Sequence, residues 1–484
     1  MRILFVSAEV APFAKVGGLG DVAAALPRHL HARGHDVRVF VPLYRRARAG
    51  PYEFEAVPGL ENLQMSIGHH SVRFSVVQAS LPGTKLGIYF VHCPALYDRE
   101  AIYTQDHDEH FRFIVLSWAA LVACQHLGFS PEICHANDWQ TALLPLLLRT
   151  RFDWDRQRFG DTRTLLTIHN LMHQGVFGAA TLGDTGMADS AHLFHQDQLQ
   201  AGMINFLLTG ILYAGAVTTV SPTYAKEIQS DEMGAGLAPF LRARSSTVVG
   251  VLNGIDESEW SPESDLHIAR RYSRGSLSAK EYNKQALLEN LGLPYAREIP
   301  VVGIVSRFVG QKGLDLVPEA LIPLLARGRL QLTVLGSGDA SLEARFAALQ
   351  SRFRKHVCFY RGFSNPLAHM IEAGADIFLM PSRYEPCGLN QMYSLRYGTV
   401  PIVRKTGGLA DTVEPFNRNT GSGTGFVFRE ISPEALYRAL TEALTVWPDR
   451  RAWRQLQDNG MSRDYSWNTQ VATYETVYRR LQEM

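Results

Sequence analysis

Short apolar runs alternate with helix-patterned segments along almost the whole chain, and this alternation limits the possible folds more than any other feature. In the first half the runs are 2–7, 37–41, 85–91, 133–136, 163–168 and 216–220; in the second they are 300–306, 330–335, 357–360, 377–380, 400–403 and 425–428. Runs that are apolar throughout belong to strands buried on both faces, and helices between them supply the crossovers of a parallel sheet. The class expected is therefore α/β, with two Rossmann-type domains facing across a cleft. At 484 residues the chain is long enough for two such domains at ~100–200 residues each. The stretch 253–297 is poor in strand signal, which sets the expected boundary: a first lobe over 1–247 and a second over 248–463. A last segment, 464–484, carries Trp467, Val471, Tyr474, Tyr478 and Leu481 on one helical face and is expected to pack back on the first lobe.

Open sheets of this kind bind ligands beyond the carboxyl ends of their strands, and there the chain repeats itself. Lys15-Val16-Gly17-Gly18-Leu19-Gly20-Asp21 follows the first run, and Lys405-Thr406-Gly407-Gly408-Leu409-Ala410-Asp411 follows the run at 400–403. Adjacent glycines let backbone N–H groups approach a ligand closely. A helix starting there directs its unpaired N–H groups and positive dipole end to the same place, which makes an anion site. A lysine beside it adds a mobile positive charge. A strand-to-helix loop with a solvated lysine is the plainer reading of either copy alone; two copies in similar contexts favour the anion site. The first copy also fits the dinucleotide fingerprint in part, as Gly18-x-Gly20-x-x-Ala23. That fingerprint needs its glycines directly after the strand and an acid at the end of the next strand. Here residues 8–15 intervene and the second strand runs into Pro42-Leu43-Tyr44-Arg45, so a nicotinamide or flavin enzyme is not expected.

Charge excludes some partners. Lys and Arg number 48 against 47 Asp and Glu, a net charge of +1 that gives no reason to expect nucleic acid or a membrane surface. The five cysteines show no Cys-x-x-Cys spacing and suit a reducing compartment. The amino terminus does not read as a signal peptide, and the longest nearly apolar stretch, 113–124, is well below the ~18 residues of a membrane span. A soluble, cytoplasmic protein is expected.

Polar residues gather past the strand ends. Asn137-Asp138-Trp139-Gln140 follows the run at 133–136, and His169-Asn170-Leu171 follows the run at 163–168. An Asp or His in such a place either binds hydroxyls and moves a proton, or simply closes loop hydrogen bonds. Arg307 and Lys312 follow the run at 300–306, either as a grip for a diphosphate or as two exposed cations. The block Pro381 to Gln391 is expected to open a helix with Pro386 early and Glu385 at the helix start. Asp153-Trp154-Asp155 and Asp106-His107-Asp108-Glu109-His110 hold metal-ligand residue types, but the first lies among arginines and the second reads as a polar approach to a helix. No metal and no cofactor is expected.

Taken with Val251 to Asp256 and Thr219 to Tyr224, these blocks closely resemble the bacterial and plant glycogen/starch synthases, essentially end to end. The resemblance implies a GT-B glycosyltransferase that takes glucose from ADP-glucose and adds it to the non-reducing end of an α-1,4-glucan, with retention and without a metal. It implies that Lys15, Gly17 and Gly18 meet the phosphates and glucose, that Asp21 and Asn253 lie in the cleft, and that Asp138 and His169 bind the glucosyl unit. It gives Arg307 and Lys312 the diphosphate and Glu385 the sugar. Cys387, Gly388, Leu389 and Thr406 are counted with the substrate-binding residues, Gly407-Gly408 completes the anion nest, and Phe363 falls where the family sets a ring against the adenine.

Many related transferases carry a second Glu eight residues after the first; here that position is Tyr393. With no nucleophilic carboxylate assignable by spacing, retention is expected by a front-face path in which the leaving phosphate helps take the acceptor's proton. Two other readings stand beside this one. One is a glucan-binding or regulatory relative without turnover; the other is a phosphorylase or a transferase using another donor such as UDP-glucose.

Overall fold

The computed structural model describes residues 1–484, which divide into two compact units. The first holds Met1–Val220, Ala225–Val251 and Trp467–Met484; the second holds Ser221–Tyr224 and Leu252–Ser466.

The first unit is built on a ten-stranded sheet. Its parallel part runs, edge to interior and out again, Val248–Gly250, Ala216–Thr219, Arg163–Ile168, Ile133–Asn137, Arg2–Val6, Asp36–Pro42 and Gly87–His92. Arg2–Val6 and Ile133–Asn137 lie side by side, with chain order reversing between them, so this pair is the switch point of the sheet. Ile3, Leu4, Phe5 and Val6 are fully buried, as a strand covered on both faces requires.

The sheet continues antiparallel through His70–Ser80, which pairs with Gly87–His92, Leu63–Ile67 and Glu55–Ala56. The sequence reading missed this extension because it looked for continuous apolar runs. His70–Ser80 instead tends to alternate buried and exposed residues, the pattern of a strand with one covered face. Its hairpin closes on Gly68-His69, with Gly68 at φ 57°, a conformation that favours glycine.

The boundary expected at 247/248 falls at the edge of a strand. Val248–Gly250 pairs with Ala216–Thr219, which keeps the chain in the first unit as far as Val251. The last helix, Trp467–Glu483, also belongs to this unit and buries Trp467, Val471, Tyr474, Val477, Tyr478 and Leu481.

The second unit holds a six-stranded, wholly parallel sheet in the order Val357–Arg361, Gln331–Gly338, Val301–Phe308, Ile377–Met380, Val400–Arg404, Phe426–Phe428. Numbered along the chain this is 3-2-1-4-5-6, the doubly wound order, and its switch point lies between Val301–Phe308 and Ile377–Met380. Val302, Ile304, Leu332, Val334, Ile377 and Leu379 form the centre of its core, covered by the helices Val317–Leu325 and Pro433–Val446.

Candidate functional site

In the second unit the loops beyond the two switch-point strands are stitched together by backbone. Arg383 N–H donates to Gln311 O (2.8 Å), and a side chain at Gly313, φ 62°, would run into the Pro381 carbonyl. Glycine is therefore required there, and the close approach sets Lys312 Nζ 2.6 Å from Glu385 Oε2. The same carboxylate oxygen accepts from the Ser382 hydroxyl at 2.9 Å. Glu385 is 5% exposed, so its charge is held by a cation and a hydroxyl rather than by water. Arg307 stands exposed at the end of its strand. Arg383 is committed elsewhere, to a two-pronged pair with Asp315 at 2.6 and 2.8 Å.

Glu385 does not sit at a helix start, contrary to expectation. The helix runs Asn390–Arg396, and the residues from Pro381 to Leu389 form an irregular loop. Gly388 at φ 73° falls in that loop, and Leu389 immediately precedes the helix. Burial pushes the Cys387 thiol up to about 12, opposed by the Asn253 backbone N–H, so it is no thiolate nucleophile at neutral pH. Asn253 is itself buried, with its side-chain oxygen unpartnered. Phe363, beyond the strand Val357–Arg361, is 82% exposed.

The two glycine motifs are not equivalent. At Gly407-Gly408 added side chains would strike the carbonyls of Glu385 and Cys387, and Gly408 N–H donates to Glu385 O at 3.1 Å and Pro386 O at 3.2 Å. Thr406, Gly407 and Gly408 are buried. This corner fixes the loop that carries Glu385, and the Gly408 N–H is already bonded rather than open to an anion. Asp411 accepts from Thr223 N–H (2.8 Å) and its hydroxyl (2.6 Å).

At Gly17-Gly18 no atom lies within 4 Å of where a side chain would go, and no side chain caps the helix Gly18–Ala32. Lys15, half exposed, pairs with Asp21 at 2.7 Å. A buried carboxylate braces this loop: Glu9 Oε2 accepts from Val16 N–H (2.6 Å) and Gly17 N–H (3.1 Å), and the Tyr103 hydroxyl donates to Oε1 (2.6 Å). Burial raises Glu9's pKa while those bonds oppose the rise. Sequence reading passed over Glu9 and Tyr103. The available signal was an acid just past the first strand, at what proves to be the switch point.

Beside it, Asp138 has φ 54°, and its Oδ1 accepts from His169 N–H at 2.7 Å. Burial pushes the Asp138 carboxyl up to about 7, against the pull of the His169 and Asn170 N–H groups. Asn137 donates through Nδ2 to Val6 O, which leaves its Oδ1 to accept from His169 Nε2–H at 3.0 Å. Burial lowers His169 to about 3, so the ring is neutral at working pH, with Nδ1 as the bare nitrogen. The arrangement offers a neutral acceptor beside a carboxyl that titrates near neutrality, suited to hydroxyl groups.

Neither metal-like sequence cluster gathers as a site. Asp106 and Asp108 pair with Arg99, Glu109 pairs with Arg112, and Asp155 accepts from Gln125. Tyr393 stacks on Trp260 with ring centroids 4.0 Å apart, and Trp260 stacks in turn on His369 at 3.8 Å.

Comparison with known proteins identifies the family and the fold. The family model described as starch synthase catalytic domain matches residues 2–243, and that of group 1 glycosyl transferases matches residues 295–458. The glycogen synthase of Koribacter versatilis (strain Ellin345) is 44% identical over 497 residues, covering 100% of this chain and 99% of its own. That of Anaeromyxobacter sp. (strain Fw109-5) is 45% identical over 485 residues, covering 99% of each. Among solved structures, the catalytic domain of starch synthase IV from Arabidopsis thaliana, bound to ADP and acarbose, matches with a TM-score of 0.91 and 33% identity over 100% of this chain and 99% of that one.

Proposed function

The chain belongs to the glycogen and starch synthase family of hexosyltransferases, and from that premise we propose that it transfers glucose from ADP-glucose to the non-reducing end of an α-1,4-glucan, releasing ADP. Its fold, with two Rossmann-type units, is of the GT-B class. The observation that carries the reading is the Lys312–Glu385 pair at the switch point of the 3-2-1-4-5-6 sheet, with Arg307 exposed near the end of the strand that leads to Lys312.

Lys312 and Arg307 bind the diphosphate and offset the charge that builds on it as the glucosyl bond breaks. Glu385 holds Lys312 in place and accepts from a sugar hydroxyl. Phe363 offers an exposed ring to the adenine, and its solvent exposure supports that use. In the first unit Asp138 and His169 accept hydroxyls of the glucosyl unit, while Lys15 and the uncapped helix start at Gly18 supply positive potential for phosphate. Asn253, Asp21 and the Cys387-Gly388-Leu389 loop complete the substrate-binding set, and Gly407-Gly408 shapes it.

Transfer proceeds with retention by a front-face path, supported by the aromatic stack that occupies the position of the second Glu. The positive charge comes from Arg307 and Lys312, so no metal is required. No helix is long and apolar enough to cross a membrane, and five free cysteines accord with a cytoplasmic setting.

The test is the initial rate on a glucan primer with ADP-glucose and with UDP-glucose, for the wild type and Lys312→Ala. The expected result is a faster reaction with ADP-glucose and a kcat lowered far more than donor affinity in the variant. Negligible rates with both donors would instead support a binding protein without turnover.

A further inference from the structure

Three histidines converge on one carboxylate in the first unit, apart from every residue assigned to the reaction. His70 Nε2 lies 2.8 Å from Asp184 Oδ1, His110 Nε2 lies 2.8 Å from Asp184 Oδ2, and His69 Nε2 lies 3.8 Å from Oδ1. The ligand atoms of His69, His70 and Asp184 all fall within 4.8 Å of one another. We propose that His69, His70 and Asp184 bind one divalent cation of the zinc class.

The site is built from three elements held in register. His69 and His70 stand at the tip of the hairpin that turns at Gly68. A side chain at Gly68 would strike the Gly183 carbonyl, so the hairpin tip rests directly on the segment carrying Asp184. That segment is anchored from the other side by the Trp118 indole N–H, which donates to Thr185 O at 3.2 Å. The His70 ring packs against Phe111, with centroids 4.3 Å apart, and lies tilted against His69 at 3.9 Å, so both imidazoles are placed before any ion arrives.

Two imidazoles and a carboxylate suit a borderline-soft ion rather than magnesium or calcium, which favour all-oxygen sites. Bond lengths of ~2.0–2.1 Å in a tetrahedral zinc site put ligand atoms roughly 3.3 Å apart, and the 2.8 and 3.8 Å separations bracket that value. His110, buried beneath the site on the helix Glu109–His126, holds the second carboxylate oxygen and so orients Asp184 from behind. The side chain of His69 is 72% exposed, which leaves the fourth position open to water or a small anion. Bound there, the ion would tie the hairpin to the segment Ala179–Thr185 and stabilise the folded state by mass action.

The full chain, stripped with chelator and dialysed, is titrated at neutral pH with cobalt(II) and then zinc(II), with visible absorbance and thermal midpoint as readouts. One cobalt per chain with the strong visible bands of a tetrahedral site, displaced by one zinc, and a raised midpoint are expected. Both signals are lost in His69→Ala and in Asp184→Asn and retained in His107→Ala, while His110→Ala weakens binding by about 10- to 100-fold. Because His69 is exposed at a turn, its alanine variant tests ligation without a folding defect. Absence of stoichiometric binding, or identical titrations for the wild type and His69→Ala, overturns the proposal.

Discussion

Identical residue types in the two glycine motifs do different work, and the difference lies in what surrounds them. Lys15 meets Asp21 across one turn, whereas the corresponding Asp411 is taken by Thr223. Gly17 and Gly18 face open space, but Gly407 and Gly408 are glycines because the 385–387 backbone passes too close for any side chain. The pattern was legible in the sequence; which carbonyls would press against it was not. The same holds for Asp138, whose position past a strand is readable but whose environment is not. Its folded pKa of about 7 lies above the ordinary 3.8. The folded state therefore binds more protons than the unfolded one between about pH 4 and 7, and this group's contribution to stability is full below that window and lost as pH rises through it. Asp138→Asn keeps an oxygen to accept the His169 N–H and removes the titration. Urea midpoints measured from pH 5 to 8 are expected to fall more steeply with pH in the wild type than in the variant; parallel curves would show that Asp138 is not the group responsible.

Elements announced themselves in proportion to how completely they are buried. The parallel strands that are apolar on both faces were readable from their apolar runs, while the short parallel edge strand Val248–Gly250, the alternating strand His70–Ser80 and its hairpin were missed. Pro386 pointed to a helix start, yet the backbone contacts that Glu385 and Pro386 make with Gly408 accompany a loop that does not turn helical until Asn390. The last helix shows the other limit, since periodicity reveals an apolar face but not what covers it. In the fold, the Tyr478 hydroxyl lies 2.8 Å from His135 Nδ1, and Glu475 pairs with Arg33 and His35 at 3.0 Å each. His135 is wholly buried and lowered to about 3 by burial, with His169 nearby adding to the effect, so it is neutral and depends on this partner. Tyr478→Phe leaves that nitrogen unpaired and is expected to destabilise the protein by about 1–3 kcal/mol, read from denaturant unfolding. A change within error would mean that the Tyr478 hydroxyl adds nothing to the docking of the helix.

Neither compact unit is a continuous piece of chain. Ser221–Tyr224 belongs with the second unit, where Ser221 donates to the Pro386 carbonyl, and Trp467–Met484 belongs with the first. A fragment ending at Val251 therefore lacks the helix that covers His135 and is expected to bind the dye ANS and lose its near-UV circular dichroism. Joining residues 467–484 to it through a flexible linker should restore both signals. A native-like fragment without the helix would show that the first unit is complete at Val251. The alternation of apolar runs determined that there would be parallel sheets, and the motifs determined which polar and charged residues stand past their strand ends, because burial and backbone conformation leave local marks in a sequence. Which strands extend the first sheet, which residues the last helix meets, which glycines are pressed by neighbouring carbonyls and which histidines gather on Asp184 were decided only in three dimensions, because each depends on groups brought together from distant parts of the chain.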